Sequence, residues 1–289
     1  MKKRLLITSI ICLIVLVCNA QRKRAFMVGI SHYDTALTGY QWNNINGAED
    51  VLLLSPILQK QGFSLTTILD EQATYNNITH QLTQFISKTK RGDIVYIHFS
   101  THGQPVEDLN GDETDGWDEA IVPIDAYKIY RKGIYEGSHH LIDDQLNNLL
   151  KELRKKIGPN GFLYAVIDAC HAGTSSRAND ETIRGTSVGF TSSRKIFKPS
   201  PDKKSHYKID ASAKLSNVIF IEACRADQVN REIKVADKHY GPLSYNIAQT
   251  LSVKPLTTDA AGFLNSLKAT ILKGGYWPNN QNMVIETSY

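Results

Sequence analysis

The chain has 289 residues, 42% of them hydrophobic, which is enough to bury a full core and excludes a wholly disordered protein. Its formal charge of +4 comes from 33 Lys and Arg against 29 Asp and Glu. Lys2, Lys3 and Arg4 supply most of the excess, so the remainder is nearly balanced and carries no broad cationic field for nucleic acid or an anionic membrane.

Residues 1–20, MKKRLLITSIICLIVLVCNA, set those basic residues before an apolar run that ends in Cys18-Asn19-Ala20. This is the pattern of a signal peptide ahead of a mature domain at 21–289, and it predicts a secreted or periplasmic protein. The competing reading is an uncleaved anchor. The run is short for a membrane span and no other segment approaches that length, so no stable membrane insertion is expected once it is removed. Removal leaves Cys170 and Cys224 as the only cysteines, and a disulfide between them would leave no free thiol.

In chain order, a strand is predicted over 25–31. Val51, Leu54, Ile57 and Leu58 then recur at helical intervals and stop at Gly62. A strand at 65–69 precedes a helix over 74–90 striped by Ile78, Leu82, Phe85 and Ile86, and DIVYIHFS at 93–100 is a third strand. A long stretch from 103 to 140, rich in Gly and Asp, interrupts the alternation. Asp143 and Asp144 open a helix carrying Leu146, Leu149, Leu150 and Leu153, followed by a strand at 162–169, FLYAVIDA. After a basic, Ser-rich linker at 174–214 come a strand at 217–223 and helices over 244–251 and 259–272. Strands alternating with helices predict an α/β protein with a mostly parallel central sheet covered by helices, in one domain without internal repeats.

Ligands of such sheets bind beyond the carboxyl ends of the strands. The third strand ends HFSTHGQ and the fourth ends IDACHAG, which puts His102 and Cys170 at equivalent places. On neighbouring strands, about 5 Å apart, an imidazole and a thiol would meet at the rim. Cysteine hydrolysis needs that pair, with the thiolate as nucleophile and the imidazole moving the proton. The amides of Gly103 and Cys170 are candidate oxyanion donors. His171 is a rival imidazole, expected to point away because adjacent side chains diverge. Taken singly, His102 reads as a loop histidine and Cys170 as a small buried hydrophobe. A zinc pair of His98 and His102 is disfavoured, since four residues along a strand separate them by about 13 Å.

STHG and DACHAG at strand ends, with GDETDGWDEAIVPIDA at 111–126, LIDDQLNNLL at 141–150, FIEACRADQVNRE at 220–232 and YGPLSYNIAQTL at 240–251 in that order, resemble the caspase-like cysteine peptidases, and their metacaspase branch in particular. The resemblance covers nearly all of 25–289. It implies a caspase-type three-layer α/β/α sandwich with a mostly parallel central sheet, a His102/Cys170 dyad, protein or peptide substrates cut after Arg or Lys, and no organic cofactor. Asp168, two residues before the nucleophile, matches an acid of the specificity pocket. Asp50 matches a second, although its motif INGAEDV is one residue shorter than the family spacing. Asp118, Asp143 and Asp144 match the family's calcium-binding acids, while its further acid falls on Arg177 here. A separate loop of Asp108, Asn110, Asp112 and Asp115 reads as a solvated acidic turn. In the linker, Arg177, Arg184, Arg194, Lys195, Lys203, Lys204 and Lys214 are candidate points of self-cleavage. Two alternatives stay open: a catalytically silent binding or regulatory module on the same fold, and a legumain-like peptidase cutting after Asn, which Asp168 disfavours.

Overall fold

Strand β1 (Lys23–Gly29) is the first element in a computed structural model that describes residues 21–171, 182–193, 195–199 and 209–289. The leader and four of the linker's basic residues, Arg177, Arg194, Lys203 and Lys204, lie outside the described residues. Helix α1 (Gly47–Lys60), β2 (Phe63–Leu69), α2 (Tyr75–Lys88) and β3 (Ile94–Ser100) follow. Strands β4 (His102–Glu107), β5 (Trp117–Val122) and β6 (Leu141–Ile142) then precede α3 (Asp143–Ile157) and β7 (Phe162–Asp168). The chain ends with β8 (Asn217–Glu222), β9 (Ile233–Val235), β10 (Lys238–Tyr240), α4 (Pro242–Val253), α5 (Ala260–Gly274) and β11 (Val284–Thr287).

The central sheet has the order β11-β8-β7-β3-β1-β2, parallel except for β11 at one edge. Alternate residues of its strands face opposite sides, so each strand serves two cores. Phe26, Val28, Val95, Ile97 and Leu163 pack under α2 and α3, against Ile78, Leu82, Leu146 and Leu150. Ala25, Met27, Tyr96, Tyr164 and Val166 pack under α1, α4 and α5, against Leu54, Ile247 and Phe263. The helices on those two faces and the sheet between them form the three layers of an α/β/α sandwich. All seven residues of β3, and all seven of β7, are buried. His98 belongs to the second core: its ring nitrogens meet Tyr96 Oη at 2.9 Å and Ser244 Oγ at 3.1 Å. Burial lowers its pKa to about 4, so it is a neutral core histidine and not half of a metal pair.

The five predicted strands are present, the first shifted to 23–29. The stretch from 103 to 140 holds what the alternation could not reveal: β4, β5 and β6 form a separate antiparallel sheet in the order β4-β5-β6. Among the described residues, no helix is long and apolar enough to cross a membrane.

Candidate active site

Strands β3 and β7 pair with Ser100 opposite Asp168. His102 and Cys170 therefore leave the sheet two residues beyond one registered pair, at the same height. The turn between β3 and β4 presses on the end of β7: a Cβ on Gly103 would lie 2.6 Å from the Cys170 carbonyl oxygen and 2.8 Å from Cδ2 of buried His171. Only glycine fits there.

The imidazole of His102 is held on several sides. Its Nε2 donates to the Asn43 carbonyl at 2.8 Å, which leaves Nδ1 as the unprotonated nitrogen of the neutral ring. Trp42 stacks on it at 5.0 Å and Tyr33 meets it edge-on at 4.7 Å. Tyr33 Oη accepts from the His102 amide at 3.2 Å and donates to the Val122 carbonyl at 2.6 Å. Burial, helped by the cations of Lys128 and Arg184, lowers the His102 pKa to about 3. Nδ1 is buried without a hydrogen-bond partner, so its bond to the Cys170 thiol is not made in this state. The thiol instead donates to the Gln228 carbonyl at 2.8 Å. Cys224 lies beside it; a hydrogen bond with Cys170 and burial push the Cys224 thiol pKa up. Both cysteines are free thiols.

What fills the space between these groups is the chain's own linker. The Arg184 carbonyl oxygen receives the Cys170 amide at 3.0 Å and the Gly103 amide at 3.2 Å, the two donors expected to hold an oxyanion. On its amino-terminal side the segment pairs with the stretch before β9. The Arg184 amide donates to Asn230 O, and the Glu232 amide donates to Thr182 O, each at 3.0 Å.

The Arg184 side chain is fully buried among acids. One terminal nitrogen lies 2.7 Å from Asp50 Oδ2, in contact with Ser100 Oγ, and 3.8 Å from Asp168 Oδ1. Nε and the other terminal nitrogen reach Glu232 Oε1 at 3.1 and 2.8 Å. Asp168 is itself fixed, accepting from the amide and hydroxyl of Ser244 at 2.7 and 2.6 Å and from Asn230 Nδ2 at 2.7 Å. Three carboxylates facing one guanidinium leave surplus negative charge in a dry site. Burial, with Asp168 and Glu232 adding to it and Arg184 opposing, raises the Asp50 pKa to about 7. For Arg184, burial is outweighed by Asp50, Glu232 and Asp168, which hold its proton more tightly than usual.

A second acidic cluster lies on β5 and α3. Oxygens of Asp108, Asp112 and Asp118 fall within 4.8 Å of one another. Nearby, both carboxylate oxygens of Asp143 and one of Asp118 are buried without a hydrogen-bond donor. Burial and neighbouring acids raise Asp118 to about 7 and Asp143 to about 8. Asp144 is tied in through Asn110 Nδ2 at 2.7 Å. Unpartnered buried carboxylates of this kind fit a hard divalent cation of the calcium type. Asp108 and Asp112, from the loop read as a solvated turn, thus sit on the cluster that contains Asp118.

The structure therefore brings together His102, Gly103, Cys170, Asp50 and Asp168 around Arg184. Sequence reasoning missed Asn43, Tyr33, Trp42, Ser100 and Glu232. Glu232 stands inside the quoted segment FIEACRADQVNRE, but nothing in its spacing says that it turns back toward Asp50.

Comparison with known proteins bears on the family and the fold. The model of the family described as "Metacaspase, peptidase C14 domain" matches residues 23–178. Similar curated proteins include Metacaspase-1 of Meyerozyma guilliermondii, 24% identical over 297 residues that cover 88% of this chain and 67% of that one. Metacaspase-1B of Aspergillus clavatus is 30% identical over 165 residues, 53% of this chain and 36% of the relative. The chain thus spans about two thirds of the first relative's length and about a third of the second's. A crystal structure of a Geobacter sulfurreducens protein has the same fold, with a TM-score of 0.63, 19% identity, and coverage of 92% of this chain and 93% of that one.

Proposed function

The chain belongs to the metacaspases of peptidase family C14, and from the seating of Arg184 we propose that it is a cysteine endopeptidase that cuts after basic residues and cuts itself between Arg184 and Gly185. The observation that carries this reading is that one linker residue satisfies both halves of a substrate site. Its carbonyl accepts from the Gly103 and Cys170 amides, and its guanidinium sits on Asp50, Glu232 and Asp168.

In the reaction, the Cys170 thiol swings from the Gln228 carbonyl toward the Arg184 carbonyl carbon. His102 Nδ1 takes its proton, and Asn43 O steadies the imidazolium that forms. Sulfur attacks the carbonyl carbon, and the oxyanion is held by the two amides already bonded to that oxygen. His102 passes the proton to the Gly185 nitrogen, the C–N bond breaks, and water hydrolyses the thioester. Asp50, Asp168 and Glu232 select Arg, and Lys less well, at the residue before the cut. The acids of β5 and α3, Asp118 and Asp143 with Asp108, Asp112 and Asp144, would hold a calcium ion, which supplies positive charge there and takes no part in the bond changes. The basic and apolar leader supports action outside the cytoplasm.

Intact mass spectrometry of the purified chain in calcium buffer is the test. Fragments ending at Arg184 and beginning at Gly185, absent from Cys170→Ala, are expected. Cuts confined to other bonds, or the same fragments from Cys170→Ala, refute the reading.

A further inference from the structure

Beyond Arg184, residues 185–190 stay against the protein. Gly185 bridges to both Gly103 and Cys170, and Phe190 bridges to Val106, so the segment runs parallel to β4 along an edge that β5 leaves open. The ladder is made of main-chain bonds: Phe190 N to Pro105 O at 2.8 Å and Glu107 N to Phe190 O at 2.9 Å. Gln104 Nε2 adds a bond to Val188 O at 2.8 Å.

Two positions in this segment are demanding. A Cβ on Gly185 would fall 1.9 Å from the Cys170 carbonyl oxygen and 3.1 Å from Cys170 Cβ. Backbone blocks it, so no side chain of any kind fits this path. Phe190, six residues past Arg184, is 3% exposed, with its ring centroid 4.5 Å from His140, 5.5 Å from Tyr135 and 5.9 Å from Tyr130. The pocket is tied to β4, since His140 Nε2 meets Gln104 Oε1 at 2.9 Å and His140 Nδ1 meets Tyr135 Oη at 3.0 Å. It opens into a cavity of about 420 Å³ bordered by Val106, Gly137 and Ile142.

We infer that the edge of β4 and the Tyr130/Tyr135/His140 pocket are a binding groove for the part of a protein substrate that follows the cut. The groove takes an extended segment with glycine directly after the basic residue and an aromatic residue six positions after it. This deepens the proposed peptidase reading and rests on it. The main-chain ladder supplies sequence-independent affinity, while the glycine contact and the ring pocket supply selection. The substrates it names are unfolded or loop segments of the form Arg-Gly followed by four residues and Phe, Tyr or Trp. A folded helix cannot lie along this edge.

The test uses the full chain carrying Phe190→Ala, which vacates the pocket, and two sets of substrates. Short fluorogenic peptides ending in Arg report the basic cut alone. Long peptides carry Arg-Gly with Phe six positions on, the same with Ala in place of that Phe, or Arg-Ala with the Phe kept. The Phe peptide is expected to be cut about 10- to 100-fold more efficiently than its Ala partner, the range set by burying one aromatic ring. The Arg-Ala peptide is expected to be cut slowest. Equal kcat/KM for all three long peptides, with the short ones cut normally, overturns the groove and leaves the peptidase reading standing. Binding of dye-labelled Gly-Thr-Ser-Val-Gly-Phe, which has no basic residue to be cut, to the Phe190→Ala chain whose 184–185 bond has already been hydrolysed is read by fluorescence anisotropy and needs no further catalysis. It supports the groove if at least tenfold tighter than the analogue ending in Ala, and refutes it if not. Gly185→Ala in an otherwise unchanged chain is a separate arm that keeps the ring pocket intact. Self-cleavage should be lost with the circular-dichroism spectrum of a folded chain kept, and cleavage at the unchanged rate counts against the groove.

Discussion

Replacing Glu232 by Gln should separate Arg from Lys substrates. The guanidinium of Arg184 touches Glu232 Oε1 through two nitrogens, at 3.1 and 2.8 Å, while a third nitrogen contacts Asp50 at 2.7 Å. A lysine ammonium is a single point charge. Reaching the place of that third nitrogen, between Asp50 and Ser100, it leaves Glu232 untouched. Hydrogen bonds to a charged partner contribute about 1.5–3 kcal/mol, so neutralising Glu232 should lower kcat/KM for Arg peptides by about 10- to 150-fold. For Lys peptides the fall should stay under about threefold, because the ammonium keeps its contacts with Asp50 and Ser100. Glutamine retains one oxygen for the Asn46 backbone amide, which now donates to Glu232 Oε1 at 2.6 Å, and a turned Asn46 side-chain amide can accept from the new NH2 group in place of its present donation to Oε2, so the start of α1 should stay in place. The assay is kcat/KM for matched Arg and Lys fluorogenic peptides, wild type beside Glu232→Gln. Equal falls for both would mean that Glu232 supports the fold of the pocket and does not read the guanidinium.

Two further outcomes follow from the buried acids and from the histidine. Asp118 and Asp143, raised by burial to about 7 and about 8, bind protons more readily folded than unfolded, so without a divalent cation stability should fall as pH rises toward 8; Asp50, raised to about 7, adds a share that calcium leaves unchanged. His98, His102 and His140, lowered by burial to between about 3 and about 4, act oppositely, and their effect is complete by about pH 7. Thermal melts from pH 7 to 8 should therefore drop without calcium and recover with it. A flat profile, or an unchanged calcium response in Asp143→Asn, would remove the case for a cation there. Tyr33→Phe strips a partner from both the His102 amide and the Val122 carbonyl, so it should cost about 1–3 kcal/mol in denaturant melts and lower kcat more than it raises KM. An unchanged midpoint and kcat would show that Tyr33 does not position the imidazole.

The sandwich was legible because its signals are local. Val51, Leu54 and Leu58 repeat at helical intervals, and β3 and β7 are near-continuous apolar runs, as strands covered on both faces must be. His102 and Cys170 could be placed because each ends such a run, and register carries them to one height. The sheet of β4 to β6 was not legible, since Gly, Asp and Pro break the alternation that a strand would show. Glu232 and Asn43 act through a turn and a backbone carbonyl, whose direction no residue spacing encodes. Arg184 was one of seven linker candidates. What distinguishes it is the Gly185 that follows and the Phe190 that anchors the segment, a pattern whose meaning appears only when β4 lies beside it.

Under the proposed self-cleavage, the seat of Arg184 would both block the site and prepare it. Removing one partner of a buried ion pair typically costs about 3–5 kcal/mol, because the remaining charge has neither water nor counterion. Here three carboxylates share one cation, so an empty pocket is strained, and any basic side chain that enters relieves it. A tethered one competes at an effective concentration of about a millimolar, against which few free substrates prevail. Hydrolysis of the 184–185 bond would end that advantage by freeing one end of the tether, without altering any residue of the pocket. In that proposed reaction the step still to be taken is the turn of the thiol: it lies on the Gln228 carbonyl, and His102 Nδ1 is unengaged.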